Sequence, residues 1–517
     1  MAILPVSGVG QTGLNKDLSV HELPINAWTD ALNIRFLDGY ASQFLGHEPV
    51  YGTPLNVPQH ILPCNVSGAR YWIYTTAANA YCVTITGGAA VHTDITHVTP
   101  RTGVTNNWTS TLLSGVPVFN AGDTSSYPMA WSLNTAAKFV DLSSWPATTY
   151  CKSIRAFKNF LIALNITKGS SNYPYMVKWS SPADPGALPA SWDPTDATQQ
   201  AGEVDLAEGY DAIIDGLQLG NSFIIYKENS IWRMDFAGGN YIFQFTKVLG
   251  KSGAMNRNCI ADVNGFHVVL TGNDIIAHDG QTSTSVLDKA MRRWLFRSID
   301  SANSNLCFLF VSPFFNECFI CYPAIGSSVC NKAVVYNYKD STCSVRDLPS
   351  VNHAAYGAAD NSLTAGWNAD VDAWDADLTC WNGPEAVPAT ARCLCASTSP
   401  ALYMLDVSAT FNGVTPVAYL ERRGLSLNNP SALKLVRSIR PRITGSTGQT
   451  VLVSVGWSDD PYSDPVYDAP MVHTIGSTVS NDCTVVGRYI AIKFSSGTAA
   501  QWRLDSYDID FMIWGAW

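Results

Sequence analysis

The sequence contains few groups of residues whose type and spacing suit a chemical reaction. The densest is the acidic stretch NADVDAWDADLTCWN, whose aspartates are Asp370, Asp372, Asp375 and Asp377. Carboxylates two residues apart can converge on a calcium ion. The glycine of an EF-hand loop is missing, however, and Trp374 interrupts the alternation. Aspartates that form local turns are therefore the favoured interpretation, and we predict no metal site.

Patterns typical of catalysis are also missing from the sequence. There is no nucleophile elbow, Walker loop, dinucleotide fingerprint or paired-histidine motif, and the nine histidines are scattered. A glycosidase needs two carboxylates facing each other across a sugar, which spacing along the chain does not reveal. Asp235, Asp274 and Asp279 end predicted hairpins, where aspartate is common for turn reasons alone. We expect no catalytic residues, no cofactor and no enzymatic activity.

The thirteen cysteines favour buried thiols over a metal site or disulfides. The closest groups are Cys318 and Cys321 in NECFICYP, and Cys393 and Cys395 in RCLCAS. The first pair lies in a predicted strand, where positions three apart point to opposite faces and do not converge on zinc. Free cysteine is among the most buried residue types. These features predict free thiols and synthesis in a reducing cytoplasm.

Two basic clusters are the strongest charged features of the sequence. The first contains Lys289, Arg292, Arg293 and Arg297, within nine positions of a predicted helix in SVLDKAMRRWLFRSID. The second contains Arg422, Arg423, Arg437 and Arg440. One interpretation is that both form solvated faces or pair with acids of a neighbouring subunit. The other is that they approach a phosphate backbone.

Composition limits the classes of function that suit the chain. The protein has 517 residues, a net charge of −10 and a pI near 5.3, so overall charge does not attract nucleic acid. Only 14% of the residues are charged, against about 25% in typical soluble domains. Either much of the surface faces an assembly, or the loops are solvated by serine, threonine, asparagine and glycine. No apolar run approaches the length of a membrane-spanning helix.

Short apolar strands joined by tight turns recur along most of the chain. Examples are GNSFIIYKENSIWRMDF and NGFHVVLTGNDIIAHDG, and the intervals between Phe223, Phe266 and Phe319 are 43 and 53 residues. Such spacing favours four-stranded blades. The predicted fold is all-β: an irregular β-propeller of about six blades over residues 56–410, with inserted loops. Alternating strands over residues 411–517 predict a C-terminal β-sandwich.

Residues 1–55 are predicted to form an extended N-terminal arm. The arm contains too many apolar side chains to stay in water, among them Leu23, Trp28, Leu32, Ile34 and Phe36. It can lie over the propeller or an adjacent subunit, which makes these residues candidate subunit contacts. The alternative is a strap over its own domain.

An ordered series of segments resembles one known group of proteins. GLNKDLSVHELPINAWTDALNIRFLDGYASQFLGH resembles the N-terminal segment of the tail nozzle proteins of short-tailed bacteriophages, also called tail tubular protein B-like or packaged-DNA-stabilisation proteins. VKWSSPADPGALPASWDP, SIWRMDF, VLGKSGAMNRNCIADVNGFHVVLTGNDIIAHDG, YLERRGLSL and GRYIAIKFSS are similar to that group as well. NECFICYP departs from it, since a larger aromatic residue is expected at Cys318 or Phe319.

The resemblance implies a structural protein of the virion, located in the phage tail and made in the cytoplasm of the bacterial host. It implies a homohexameric nozzle beneath an adaptor ring, with tail fibres or tailspikes and the host envelope as partners. The channel would retain packaged double-stranded DNA and release it on ejection, binding it weakly because tight binding would stall its passage. The alternative function is a carbohydrate-binding or carbohydrate-processing propeller, either a receptor-binding adhesin or a glycosidase.

Overall fold

Strands form nearly all of the regular structure in the computed structural model. It describes residues 2–516 except 22, 67–68, 87–88, 102, 105–107, 197, 240 and 360–389. The acidic stretch from Asp370 to Asp377 lies outside the described residues. Within the described ranges, no helix has the length and apolar character needed to cross a membrane.

The first five strands belong to two different parts of the fold. They are β1 (Ala2–Ser7), β2 (Asp30–Leu32), β3 (Ile34–Leu37), β4 (Tyr40–Gln43) and β5 (Gly46–Val50). Strands β1 to β4 join the C-terminal sandwich, whereas β5 joins the propeller. Residues 1–55 are therefore not a separate extended arm, which corrects the predicted division of the chain.

Five four-stranded antiparallel sheets form the first five blades of the propeller. Blade 1 contains β6 (His60–Val66), β7 (Ala69–Thr75), β8 (Ala80–Thr86) and β9 (Ala89–Asp94). Blade 2 contains β10 (Thr109–Leu113), β11 (Val116–Asn120), β12 (Met129–Ala130) and β13 (Val140–Asp141). Blade 3 contains β14 (Thr149–Phe157), β15 (Phe160–Lys168), β16 (Ser171–Trp179) and β17 (Gly202–Asp205). Blade 4 contains β18 (Ile213–Leu219), β19 (Ser222–Lys227), β20 (Ile231–Phe236) and β21 (Phe243–Leu249). Blade 5 contains β22 (Ile260–Val263), β23 (Phe266–Leu270), β24 (Ile275–His278) and β25 (Ser283–Ser285).

A seven-stranded sheet supplies two further blades. Its strands are β26 (Phe308–Ser312), β27 (Glu317–Tyr322), β28 (Cys330–Asn337), β29 (Thr342–Ala359), β30 (Thr390–Ser397), β31 (Leu402–Ser408) and, at the edge, β5. The first half of β29 pairs with β28 as the outer strand of blade 6, and its second half pairs with β30 as the inner strand of blade 7. The inner strands of all seven blades lie side by side in a closed ring. The described residues thus form seven blades, where the sequence predicts about six.

Local sequence explains the blades. Each sheet is covered by a neighbour on both faces, so β19 and β23 are buried over most of their length and appear as continuous apolar runs. Asn264 and Gly265 join β22 to β23 with φ values of 49° and 91°. A two-residue hairpin turn with positive φ at both positions favours this dipeptide.

The C-terminal part of the chain folds into a sandwich of two sheets. Its strands are β32 (Tyr419–Leu425), β33 (Ala432–Gly445), β34 (Thr450–Ser458), β35 (Val466–Tyr467), β36 (Met471–Thr474), β37 (Asn481–Gly487), β38 (Tyr489–Ser496) and β39 (Trp502–Ala516). One sheet has the order β3-β4-β39-β33-β37, with β1 also on β39. The other has the order β2-β32-β38-β34-β35, with β36 also on β34. Both sheets are therefore completed by strands from the N-terminal segment.

The predicted helix is shorter than its apolar periodicity suggests. Helix α1 covers Arg292–Ser298, and two 3-10 helices follow at Ser301–Leu306 and Pro313–Phe315. Lys289 has a φ of 58°, which is incompatible with a right-handed helix at that residue. The helix therefore begins only after it.

Candidate functional site

The apolar residues of the N-terminal segment lie in the core of their own chain. Leu23, Trp28, Ile34 and Phe36 are buried, and Leu32 is half-buried. The indole of Trp28 is 1% exposed and donates a hydrogen bond to the carbonyl of Val9 at 2.7 Å. The four buried side chains leave almost no surface for another subunit, and Leu32 leaves only part of its surface. The prediction that they form subunit contacts is corrected to the strap alternative, because the sandwich sheets are incomplete without this segment.

Residues 8–29 form a strap that crosses from the sandwich to the propeller. The carboxylate of Asp17 accepts hydrogen bonds from the backbone nitrogens of Arg293 at 2.7 Å and Trp294 at 3.0 Å. These are two of the unpaired donors at the start of helix α1. The backbone nitrogens of Lys16 and Asp17 donate to the carbonyl of Ala290 at 2.8 and 3.1 Å. The strap thus anchors the helix that carries the first basic cluster.

The first basic cluster forms a cationic face on and beside α1. Lys289, Arg293 and Arg297 are exposed, and Arg292 is half-buried. Arg292 lies 3.7 Å from Asp274 and 3.5 Å from Asp288. Arg292, Arg293 and Arg297 lie on α1, whereas Lys289 precedes the helix, and contact with a phosphate backbone stays a prediction.

The arginines of the second basic cluster form hydrogen bonds and ion pairs with residues of the same chain. Arg422 is 2% exposed and donates to the carbonyls of Val20 at 3.3 Å and Leu23 at 3.1 Å, so it holds the strap on the sandwich. Burial lowers the pKa of Arg422 to about 10. Arg423 is ion-paired with Glu421, and with Asp464 at 2.5 Å.

The remaining members of that cluster lie on the outer face of the sandwich. Arg437 and Arg440 approach Asp510 at 2.5 and 3.8 Å. The predicted contact with phosphate or a neighbouring subunit is wrong for the buried Arg422 and stays a prediction for Arg423, Arg437 and Arg440. Carboxylates of the same chain pair with Arg423, Arg437 and Arg440, whose side chains stay 33–42% exposed.

A buried ion pair occupies the axis of the propeller. Arg155 of β14 donates to the two carboxylate oxygens of Asp215 of β18 at 2.9 and 2.5 Å. Asp215 is 1% exposed and also accepts from the hydroxyl of Ser153 at 2.5 Å and from the backbone nitrogens of Gly216 at 2.9 Å and Asn258 at 3.1 Å. Burial opposes ionisation of Asp215, but the Arg155 charge and these hydrogen bonds outweigh it and hold the pKa of the carboxyl below its usual value.

Two histidines in ring contact lie beside this ion pair. The ring centroids of His60 of β6 and His353 of β29 are 3.8 Å apart, and His60 Nε2 lies 2.8 Å from the hydroxyl of Ser110. Burial and the nearby Arg155 charge lower the pKa of His353 to about 3. Burial, then the charges of His353 and Arg155, lower the pKa of His60 well below its usual value. Both imidazoles are neutral at physiological pH.

Two small cavities lie along the axis and share His353 and Asn258 in their walls. The first opens beside Gln59, Asn305 and Asn352, at the starts of the inner strands. The second is lined by Arg155 and Asp215 among others. The axis therefore holds a polar constriction built by inner strands of several blades. The Asp215 carboxylate in this constriction already accepts hydrogen bonds from several protein groups. This is typical of a structural ion pair and not of a general base.

The remaining sequence candidates have ordinary roles. Asp279 accepts hydrogen bonds from the backbone of Gln281 and Thr282, which is a turn, and Asp274 accepts from Ser285. The twelve described cysteines carry free thiols, eleven of them buried, in agreement with the predicted thiols.

The axial residues were missed by sequence reasoning. Arg155, Asp215 and His353 are far apart in the chain and match no motif. The available signal is their position, since each lies in the first strand of a repeating unit, where apolar residues are expected. A charged residue there points to the propeller axis.

No family model matches the chain, and no curated protein matches it. Several solved structures are similar. PorZ of Porphyromonas gingivalis, an essential bacterial surface component of the type-IX secretion system, is 8% identical with a TM-score of 0.36; the match covers 85% of this chain but only 46% of PorZ. The Pan2 WD40 domain of Neurospora crassa is 8% identical with a TM-score of 0.37, over 70% of this chain and 94% of that one. A catalytically inactive virginiamycin B lyase from Staphylococcus aureus is 12% identical with a TM-score of 0.38, over 70% and 99%. Likenesses of this degree do not indicate what the chain binds.

Proposed function

We propose that this protein is a structural component of a short bacteriophage tail. In this proposal, copies of the chain assemble into a ring, a hexamer by resemblance, that forms the nozzle channel for packaged DNA. An adaptor ring above, tail fibres or tailspikes, and the host envelope are the proposed partners. The protein is made in the bacterial cytoplasm and acts in the virion.

One observation carries most of the support. The first of the resembling segments, residues 13–47, contains strands that complete both sandwich sheets and the carboxylate that anchors α1 of the propeller. A stretch that fastens two folding units together suits a load-bearing part of a particle. The resemblance therefore concerns the feature that makes the chain rigid.

The plugged axis determines where DNA would pass. Side chains from several inner strands fill the centre of each propeller, including the Arg155–Asp215 ion pair. A duplex would therefore pass between copies of the chain and not through one propeller. The cationic face of Lys289, Arg293 and Arg297 is the proposed DNA contact, and the overall charge of −10 keeps that contact weak.

Assembly is tested by the mass of the purified protein in solution together with negative-stain imaging. A six-fold ring with an axial hole, alone or on addition of the adaptor protein from the same particle, is the expected result. A monomer that stays monomeric in both conditions would refute the proposal.

DNA contact is tested by fluorescence anisotropy with a duplex at two salt concentrations. We expect weak, salt-dependent binding that the triple substitution Lys289→Ser, Arg293→Ser, Arg297→Ser abolishes. Arg442→Ser, on the exposed face of the sandwich, is the control and should leave binding unchanged. Nanomolar affinity at physiological salt would contradict a channel that lets DNA slide.

A carbohydrate-binding function is the second candidate, and one observation favours it. Tyr210 is 85% exposed, and its carbonyl accepts a hydrogen bond from the hydroxyl of Tyr175 at 3.3 Å. The two rings meet edge to face with centroids 6.4 Å apart. Exposed aromatic rings beside polar groups suit sugar stacking. Glycan-array binding by a monomer, lost in Tyr210→Ala, would favour this alternative over the nozzle.

A further inference from the structure

Strand β29 is the one strand of the described propeller that belongs to two blades. It pairs with β28 as the outer strand of blade 6 up to Asp347, and Val351 pairs both with Cys330 of β28 and with Ser397 of β30, where β29 becomes the inner strand of blade 7. The register shifts between Asp347 and Val351 on the β28 side and between Val351 and His353 on the β30 side. Ser350 has a φ of 53° at the bend. A single strand therefore runs from the surface of blade 6 to the axis of the propeller.

The outer half of β29 is held by Asn33, at the junction of sandwich and propeller. Asn33 is 1% exposed with a φ of 56°. Its backbone nitrogen donates to the carbonyl of Val345 at 2.8 Å, and its side-chain oxygen accepts from the backbone nitrogen of Asp347 at 2.8 Å. Its amide nitrogen donates to the Asp347 carboxylate at 2.9 Å and to the carbonyl of Val417 at 2.8 Å. One residue thus ties β29 to the sandwich.

A buried group of four charges reinforces the junction. Arg35 of β3 pairs with Glu317 of β27 at 2.6 Å and with Asp406 of β31 at 3.1 Å, and Arg346 of β29 pairs with Asp406 at 3.1 Å. All four side chains are at most 7% exposed. Removing one member would leave an uncompensated buried charge, so the group holds its members firmly in place.

The bend does not isolate the two halves of β29. The hydroxyl of Ser397 donates to the carbonyls of Pro349 at 2.9 Å and Ser350 at 3.2 Å, and the backbone nitrogen of Thr398 donates to the same Ser350 carbonyl at 2.8 Å. A displacement of the outer half is therefore carried through the bend.

The inner half of β29 is packed tightly against blade 1 and ends at the axis. A Cβ atom on Gly357 would lie 2.4 Å from the Cβ of Pro63, so the Pro63 ring packs directly against the backbone of Gly357. The backbone nitrogen of Ile61 donates to His353 at 3.4 Å, and Asn352 donates to the carbonyl of Pro58 at 2.8 Å. Both Asn352 and His353 line the axial cavity.

We propose that β29 couples the junction between sandwich and propeller to the axial constriction, so that a change at Asn33 or Arg35 repositions His353. The physical reason is that tightly packed strands shift as units rather than bend locally. The coupling is reciprocal, because an interaction free energy between two sites acts in both directions. This property belongs to the single chain and does not depend on the function proposed above.

The test is hydrogen exchange of backbone amides, followed by mass spectrometry, in Arg35→Met and Asn33→Gly. Glycine accepts the positive φ of Asn33, so this variant loses the side-chain bonds while keeping the backbone conformation. We expect exchange about tenfold faster in both halves of β29 and in β6. Arg101→Met is the control, because Arg101 is also a buried arginine and pairs at 2.8 Å with Asp141 of blade 2, a more exposed partner away from β29.

The reverse experiment replaces His353 by phenylalanine, which preserves an aromatic ring at the axis. We expect faster exchange in residues 342–348 and in β3. Two results would overturn the proposal. One is that, in both Arg35→Met and Asn33→Gly, exchange becomes faster only in the part of β29 before Pro349. The other is a uniform rise in exchange that includes β14 and β15 of blade 3.

Discussion

The hydroxyl of Tyr226 joins two buried histidines of the neighbouring blade, and its removal should destabilise the propeller. Tyr226 of β19 lies 2.7 Å from Nδ1 of His267 and also contacts Nε2 of His278. His267 Nε2 lies 3.0 Å from the carbonyl of Gln218, and His278 Nδ1 accepts from the backbone nitrogen of Gly280 at 3.1 Å. These partners assign the tautomers: each ring is protonated on Nε2. Tyr226 therefore donates to His267 and accepts from His278.

The magnitude follows from the two groups that Tyr226→Phe would leave unpaired. His267 Nδ1 would lose its donor and His278 Nε2–H its acceptor, in a site where all three side chains are buried. An unsatisfied buried polar group costs about 1–3 kcal/mol, so the expected loss is about 2–6 kcal/mol. Burial is the first cause that lowers the pKa of both histidines to about 4, so charging does not relieve the loss at neutral pH.

Tyr322→Phe is the matched control for this prediction. Tyr322 is as buried as Tyr226 and also lies in a propeller strand, but its hydroxyl has no hydrogen-bond partner among the described residues. Its removal leaves no group unpaired, so we expect a change close to zero or a slight stabilisation.

The assay is denaturant unfolding at pH 8, followed by tryptophan fluorescence. Because chains of this size commonly unfold through intermediates, the free energy of the first transition is compared between variants. Equal losses in Tyr226→Phe and Tyr322→Phe would refute the reasoning, since they would show that volume and not hydrogen bonding determines the effect.

Three further predictions concern ionisable side chains. The pKa values of about 4 for His267 and His278 and about 3 for His353 lie below the unfolded value of about 6.5, so the unfolded chain binds more protons between these limits. The free energy of unfolding should therefore be highest above pH 6.5 and fall as the pH drops towards 4, by about 3 kcal/mol each for His267 and His278. A melting temperature that stays constant from about pH 7 to about 4.5 would contradict this. Arg155→Met should lower the free energy of unfolding by about 3–5 kcal/mol at pH 8, because it leaves the buried carboxylate of Asp215 without its ion-pair partner. The loss should be smaller at about pH 5, because that carboxyl then takes up a proton. An equal loss at both pH values would show that the ion pair is not the cause. Asp17→Ala should lower the free energy of unfolding by about 1 kcal/mol and speed proteolysis near α1, and Asp17→Asn should have an intermediate effect. Unchanged cleavage in the alanine variant would mean that the strap does not anchor the helix.

Features that depend on neighbouring residues were predictable. The Asn264–Gly265 turn, the apolar strands on either side and the buried thiols follow from local patterns, since they reflect backbone preferences and solubility. The boundary after about residue 410 agrees with the structure, in which β31 ends at Ser408 and β32 begins at Tyr419.

Features that depend on distant pairings were not predictable. The predicted number of about six blades was one too few, because β29 belongs to two blades and the last blade is completed by β5 from the N-terminal end. The arginines near residue 430 appeared to be a cationic patch because their aspartate partners, such as Asp510, follow much later in the chain.

The sequence by itself determined that this is an all-β propeller with a C-terminal sandwich, because strand periodicity and turn residues act over a few positions. Only the tertiary structure decided that the strap lies on its own chain and that an ion pair fills the axis. Burial and charge pairing join residues that are hundreds of positions apart, and no local pattern encodes which of the many available partners lies nearest.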